Sequence, residues 1–235
     1  MFAEFNDLLA ASFAFVLGHF LLSSMAIRKA LLQRLGEGGF RIAYSLVVSV
    51  SFVWMLLSYR SAPYMPLWEP PLWTAYIALA LMLPATLLFV IGLATPSPTA
   101  VGGESRLDVR DARPPAHGIL SVTRHPFLCG VSLYAIAHLV ANGDLATVIL
   151  MLGLLILSVG GMAHIDARRS NVLGPLWGPI ALNTSRMPFA AVLQKRAKLD
   201  LAGIGWWRFL LALAVYVAFI LLHPLVIGVP IMVHP

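Results

Sequence analysis

The sequence has few charged residues, one cysteine and none of the common motifs of soluble enzymes. Of its 235 residues, 11% are charged and 60% are hydrophobic, which leaves little polar surface to cover a soluble core. The single cysteine, Cys129, excludes an internal disulfide, and its apolar neighbours predict a buried packing residue. Walker loops and GxGxxG, GxSxG, HExxH and CxxC motifs are absent, so the sequence does not support nucleotide binding, acyl transfer or structural zinc.

Long apolar runs predict an all-α, polytopic membrane helix bundle that forms a single domain over residues 1–235. The mean hydropathy is +0.86, and apolar runs of membrane-spanning length recur along the whole chain. The net charge of +6 does not indicate nucleic acid, because the basic residues are dispersed between these runs. The bilayer is therefore the expected partner. Six spans are predicted, at about residues 7–27, 42–59, 73–94, 118–141, 145–163 and 207–229.

The basic residues indicate how the spans are oriented. With six spans, all but one of the 16 basic residues fall on one side, and only Arg60 lies opposite. By the positive-inside rule, both termini are then periplasmic and the protein is a multi-pass protein of the inner membrane. The residues on the cytoplasmic side are Arg28, Lys29, Arg34, Arg41, Arg106, Arg110, Arg113, Arg124, Arg168, Arg169, Arg186, Lys195, Arg196, Lys198 and Arg208.

The stretch 117–144 concentrates polar residues on a short, otherwise apolar segment. It contains Arg124-His125-Pro126 towards the inner side and His138 towards the outer side. A helix from Pro126 to the Asn-Gly-Asp stop would be only about 22 Å long, too short for a bilayer core of roughly 30 Å. Residues 118–124 are therefore expected to belong to the same span, with a kink or break at the proline.

His19 and His138 lie inside predicted spans on different helices and need an explanation. Ionisable side chains at such positions normally face the bundle interior and have a partner. For His19, a neutral imidazole bonded to another helix is one interpretation, and an axial metal or haem ligand is the other. Tyr134 lies one turn before His138 and shares its face. Counting residues places His19 about 18 Å and His138 about 6 Å from the outer side, so a shared haem must accommodate this difference in depth.

A charged cluster follows the fifth span. His164, Asp166, Arg168 and Arg169 are expected at the inner interface, where long side chains snorkel towards water. A site for an anionic group is the alternative, because the two guanidiniums are suited to bind carboxylate or phosphate.

Four ordered blocks resemble the NnrU family, bacterial membrane proteins associated with denitrification that also include the 15-cis-zeta-carotene isomerases of plants and cyanobacteria. The blocks are GHFLLSSMAIR at 18–28, LGEGGFRIAYSLVV at 35–48, and residues 118–144 and 164–189. Because the isomerases are haem b enzymes, the resemblance implies haem b with His19 and His138 as axial ligands. The predicted cofactor-binding set is His19, His138, Tyr134, Arg124 and His125, and the metal ligands are the first two.

The resemblance leaves the activity open. One expectation is a haem b protein of nitrogen-oxide metabolism with a redox partner; an alternative is an isomerase acting on an apolar polyene. The isomerases have a cysteine where this chain has Ala135, a difference that bears on that activity and leaves bis-histidine ligation intact.

A more distant similarity joins RHPFLCG and IDARRSNVLGPLW to membrane methyltransferases that bind S-adenosylmethionine; Asp166 stands where they have a glutamate pair. A non-catalytic accessory protein of a respiratory complex is a further interpretation.

Overall fold

The computed structural model describes residues 2–100, 115–229 and 231, and this part of the chain is helical. It forms no strand there; an isolated antiparallel bridge joins Pro66 and Asp144. The predicted all-α class is confirmed. The α-helices of the described residues are α1 (Asn6–Ser23), α2 (Met25–Ser61), α3 (Trp73–Ala94), α4 (Pro126–Ala141), α5 (Leu145–Leu173), α6 (Trp177–Asn183), α7 (Ala190–Leu193) and α8 (Trp206–Ile227).

Five helical segments in the described part of the chain are long and apolar enough to cross a bilayer. They coincide with five of the six predicted spans, so the multi-pass membrane character is confirmed. Three of the predicted topology residues, Arg106, Arg110 and Arg113, lie outside the described residues. The segments are Ala3–Ser23, Met25–Ser61, Trp73–Ala94, Leu145–Asn183 and Trp206–Ile227.

The predicted fourth span, 118–141, is not one continuous helix. Gly118–Ser121 form a 3-10 turn, and α4 begins at Pro126 with only 16 residues, about 24 Å of helix. Proline has no backbone N–H and disfavours helical geometry in the residue before it, so the helix starts there. The predicted break at Pro126 is confirmed, whereas the residues before it do not lengthen the helix.

The connection between the first two predicted spans, residues 28–41, is largely helical. Only Ser24, in an extended conformation, separates α1 from α2, and α2 continues through the turn with a single non-helical residue, Gly36 (φ 67°). Glycine adopts this positive φ without steric cost, so it permits the break. The exposed Glu37–Arg41 ion pair, at 3.1 Å, follows directly. The sequence predicted a connection outside the spans, whereas the structure continues the helix through it.

The chain forms two compact units. The first comprises Met1–Pro70 and His138–Leu157. In it α1 packs on the second half of α2, with the rings of Phe15 and Phe52 5.3 Å apart. The Asp7 carboxylate accepts hydrogen bonds from Trp54 Nε1 at 3.1 Å and from the Ser58 hydroxyl. These bonds hold the start of α1 beside the end of α2.

The start of α5 lies at the same end of the first unit. Tyr59 and Thr147 share a hydroxyl–hydroxyl bond of 3.0 Å, which connects α2 to α5. The backbone N–H of Leu67 donates to the Gly143 carbonyl at 2.7 Å. A Cβ at Gly143 would lie 1.9 Å from the Trp68 carbonyl oxygen, so only glycine fits this contact.

The second unit comprises Pro71–Ala137 and Ser158–Pro235. Its core contains residues of α3, the turn before α4, α4 and α8. Helices α3 and α4 approach closely because Gly130 has no side chain: a Cβ there would lie 2.7 Å from the Ala85 carbonyl oxygen. The Tyr216 hydroxyl of α8 donates to the Leu79 carbonyl at 3.1 Å. The buried core residues are Leu88, Val90, Ile91, Ile119, Leu120, Val122, Cys129, Ile204 and Ala212.

Candidate functional site

A buried ion cluster in the second unit centres on Asp166 of α5. Arg124 Nε donates to both carboxylate oxygens, at 3.0 and 3.1 Å, and its Nη2 lies 2.6 Å from Oδ2. His125 Nε2 lies 2.8 Å from Oδ1. The side chains of Arg124, His125 and Asp166 are only 10%, 1% and 13% exposed. Because it is removed from water, this fork-like pairing is far stronger than a surface ion pair.

The segment after α6 completes the cluster. Arg186 Nε lies 3.3 Å from Asp166 Oδ2 and its side chain is 53% exposed. The Arg124 backbone N–H donates to the Ser185 carbonyl at 2.9 Å, and its Nη1 donates to the Thr184 carbonyl at 3.2 Å. We refer to Arg124, His125, Asp166 and Arg186 as the Asp166 cluster. Arg124 is not in a helix, so its amide donates to the Ser185 carbonyl and its carbonyl accepts from the Thr99 hydroxyl.

The structure brings together the RHP block and the charged cluster after the fifth span, which were predicted separately. Asp166 is therefore not a snorkelling residue but the centre of a buried ion cluster. Arg169 is completely buried, and its Nη2 donates to the Ala100 carbonyl at 2.8 Å, so the snorkelling prediction is also wrong for this residue. His164 and Arg168 are half-buried. Helix packing buries both the aliphatic part and the charged group of Arg169, and sequence position alone does not reveal this.

Sequence reasoning missed Arg186 as a partner of Asp166. Its signal was weak: one arginine after Ser185, assigned only to the positive inner side and to a block of the family resemblance. Cys129, by contrast, is buried as predicted. Its Sγ lies 3.5 Å from Thr123 Oγ1 and 3.4 Å from the Arg186 carbonyl oxygen, next to the cluster. Because it is the only thiol of the chain, its reactivity measures how often this region opens to solvent.

A neighbouring carboxylate, Asp200, holds the turn before α4. Its Oδ2 accepts from the Gly118 N–H at 2.8 Å and its Oδ1 accepts from the Gly203 N–H at 2.9 Å. These backbone bonds favour the ionised form, so they lower the pKa of Asp200 below its ordinary value. Gly118 has a φ of 52°, which suits glycine at this turn.

His19 lies in α1 of the first unit and is half-buried. Its Nδ1 lies 2.8 Å from the Phe15 carbonyl oxygen, and because a carbonyl only accepts, Nδ1 carries the proton. The Phe15 ring lies edge-on to the imidazole, with 4.6 Å between the ring centroids. The Tyr44 ring of α2 is also edge-on, with 6.0 Å between its centroid and that of His19. This tautomer leaves a lone pair on Nε2, the arrangement typical of metal-ligating histidines.

His138 lies in the last turn of α4, also in the first unit, and is half-buried. Its carbonyl accepts bonds from the Asn142 backbone N–H at 3.0 Å and from Asn142 Nδ2 at 2.9 Å, which end the helix. Tyr134 lies one turn before it on α4 and is half-buried too.

The predicted depth difference between the histidines persists along the helices. His19 is thirteen residues into α1, about 20 Å, whereas His138 is three residues from the end of α4, about 4.5 Å. The residue types are those that ligate haem iron, since two imidazoles lie on separate helices of one unit. Among the described residues no group of three or more His, Cys, Asp and Glu side chains is arranged for a metal ion. Ligation by this pair stays a prediction.

The fold and the site together define a multi-pass α-helical membrane protein with a buried arginine–aspartate cluster in one unit and half-buried histidines in the other. A family model described as NnrU protein matches residues 7–231, so the chain belongs to the NnrU family. This confirms the resemblance drawn from the four sequence blocks.

A similar protein is the chloroplastic 15-cis-zeta-carotene isomerase of Zea mays. It is 33% identical to this chain over 82 residues, which are 35% of the chain and 22% of the maize protein. The matched region therefore spans only about a fifth of that relative. No solved structure matches the chain.

Proposed function

We propose that this NnrU-family protein is a haem b protein of the bacterial inner membrane, with His19 and His138 as axial ligands, serving nitrogen-oxide metabolism with a redox partner. The observation that carries the proposal is the His19 tautomer: Nδ1–H is donated to the Phe15 carbonyl, which leaves the Nε2 lone pair for an iron. Membership of a family whose sequence blocks include both His19 and His138 supports the choice of His138 as the second ligand. The expected inner-membrane orientation, with both termini periplasmic, is part of the same proposal.

When bound, haem b supplies an iron centre that accepts and releases one electron. The protein's own part is to hold and shield it. The Phe15 carbonyl orients the His19 ring, and the edge-on Phe15 ring limits its rotation. Ala135, three residues before His138, has no thiol, so this position offers no thiolate ligand. The Tyr44 ring lies edge-on to His19, with ring centroids 6.0 Å apart, and forms part of the wall around it.

A visible spectrum of the purified, full-length protein tests this proposal. We expect a Soret band that shifts on reduction, and we expect His19→Ala and His138→Ala to lose most of it. His223→Ala is the matched control, because His223 lies in α8 and its Nδ1 bonds the Val229 carbonyl. The Soret band of this variant should be unchanged. Iron-free protein that retains the native fold would refute haem binding.

Cis-trans isomerisation of a polyene is the second candidate, favoured by the similarity to the maize isomerase. Haem-loaded, reduced protein should then isomerise the central 15-cis double bond of 15-cis-zeta-carotene to trans. Chromatography separates the two isomers and measures the conversion. The His19→Ala variant, lacking haem, should not. If haem-loaded wild type leaves the substrate unchanged, this candidate is rejected while the haem protein stands.

The methyltransferase alternative depends on Arg124, His125 and Asp166, which the structure does bring together. In this arrangement, however, the Asp166 carboxylate already accepts from both other side chains, so a cofactor would have to displace them. Saturable heat on titration with S-adenosylmethionine would favour this activity, and its absence would dismiss it. An accessory role without haem would instead appear as co-purification of an oxidoreductase with iron-free protein.

A further inference from the structure

The Asp166 cluster carries more positive than negative charge. Arg196 Nη1 donates to the Thr184 carbonyl at 3.1 Å, the same oxygen to which Arg124 donates. Arg186, two residues after Thr184, contacts the Asp166 carboxylate. Two guanidiniums therefore bind one carboxylate and a third shares the Thr184 carbonyl with Arg124, and the described residues place no second carboxylate within 4.0 Å of them. Such an excess of clustered positive charge attracts an anion.

The three guanidiniums differ in how firmly they are held. Arg124 is buried and binds the carboxylate with two nitrogens. Arg186 makes one contact of 3.3 Å through Nε, is 53% exposed, and its terminal nitrogens bond no described residue. Arg196 is half-buried and bonds backbone carbonyls and Gln194, with no carboxylate. Arg186 and Arg196 are thus the cations available to a ligand from outside.

Large apolar side chains are exposed beside these cations. Leu182, Met187 and Leu193 are 67%, 73% and 80% exposed, and Phe189 is 47% exposed. Phe189 also has a φ of 64°, a strained conformation for an aromatic residue, and its N–H is tied to the Val122 carbonyl at 2.8 Å. The fold thus holds an exposed apolar ring three residues after Arg186. Cations flanked by exposed apolar groups are typical of a membrane interface.

We propose that residues 182–196 form a binding surface for an anionic membrane lipid. Arg186 and Arg196 bind the headgroup phosphate, because the planar guanidinium matches two phosphate oxygens. The exposed side chains of Met187, Phe189 and Leu193 contact the acyl chains. A lipid is the occupant because a soluble phosphate would leave these apolar groups in water. The surface is independent of the haem proposal, since all its residues belong to the second unit.

Lipid titration of the full-length protein in a non-ionic detergent tests the proposal. Bound phosphatidylglycerol is counted by native mass spectrometry. We expect Arg186→Gln and Arg196→Gln each to weaken binding about fivefold, the usual effect of one cation near an anionic lipid. Arg41→Gln is the control: it also removes one exposed arginine, but in the first unit, and binding should change less than twofold.

Two further titrations distinguish the source of the phosphate. Phosphatidylcholine and inorganic phosphate should compete at least tenfold more weakly than phosphatidylglycerol. Equal binding by the Arg186→Gln and Arg41→Gln variants would overturn the site, and competition by inorganic phosphate at lipid-like concentrations would overturn its assignment to a lipid. Arg186 is largely exposed, so its variant keeps the test valid if Arg196→Gln does not fold.

Discussion

Replacement of Asp166 by asparagine is the sharpest test of the buried ion cluster. The substitution preserves the size of the side chain but removes the charge that Arg124, His125 and Arg186 share. Arg124 would then be an uncompensated charge with only 10% of its side chain exposed. Breaking a buried pair in this way costs about 3–5 kcal/mol. Because the site retains some exposure, we expect the lower end, about 3 kcal/mol.

The lone thiol of Cys129 measures this loss directly. It is buried beside Thr123 and the Arg186 carbonyl, so it reacts with a maleimide only when the region opens. If labelling proceeds through rare opening, about 3 kcal/mol corresponds to labelling that is faster by roughly a hundredfold. The assay needs no engineered probe, because the chain contains no other cysteine.

A matched substitution separates loss of the buried pair from loss of any carboxylate. Glu37 pairs with Arg41 at 3.1 Å, but their side chains are 66% and 62% exposed. Exposed pairs contribute only about 0.2–0.5 kcal/mol, so Glu37→Gln should change labelling by about twofold at most. If Asp166→Asn labels within threefold of the wild type, the cluster does not stabilise this region as argued.

Three further predictions follow from neighbouring contacts. His125→Ala removes one hydrogen bond to a carboxylate and should speed thiol labelling about tenfold; an unchanged rate would show that this bond is dispensable. Gly143→Ala places a Cβ against a backbone oxygen and should lower the melting temperature by roughly 3 °C or more, whereas Gly38→Ala, with open space around it, should not. For Asp200, whose pKa is lowered by backbone N–H donors, the stabilisation is complete above the ordinary carboxyl pKa and is lost as the pH falls through the lowered one. Asp200→Asn should therefore flatten the acid side of a stability–pH profile, and a profile identical to the wild type would contradict it.

The membrane-spanning helices were predictable because apolar length is a local property of the chain. Five long segments appear where the hydropathy places them. Two helix boundaries differ from the prediction, and the sequence indicated their causes only in part. Pro126 stops the helix that was expected to begin near residue 118, and Gly36 bends α2 without ending it. A proline or glycine signals a break, but tertiary packing decides whether the helix continues beyond it.

The candidate site was predictable only in its parts. Arg124, His125 and Asp166 all drew attention as polar residues in apolar surroundings, yet nothing in their spacing paired them, since more than forty residues separate Arg124 from its partner. The contribution of Arg186 required the fold of the segment after α6. Haem ligation by His19 and His138, the periplasmic termini and the single-domain organisation remain predictions.

The sequence by itself determined that this is a multi-pass helical membrane protein of the NnrU family. Both the length of the apolar runs and the order of the motif blocks are local properties of the sequence. It also indicated a buried cysteine and an unusual proline break. Only the tertiary structure decided which charges neutralise one another. A buried carboxylate is stabilised by whichever cations lie within a few ångströms, and that distance depends on helix packing rather than on position in the chain.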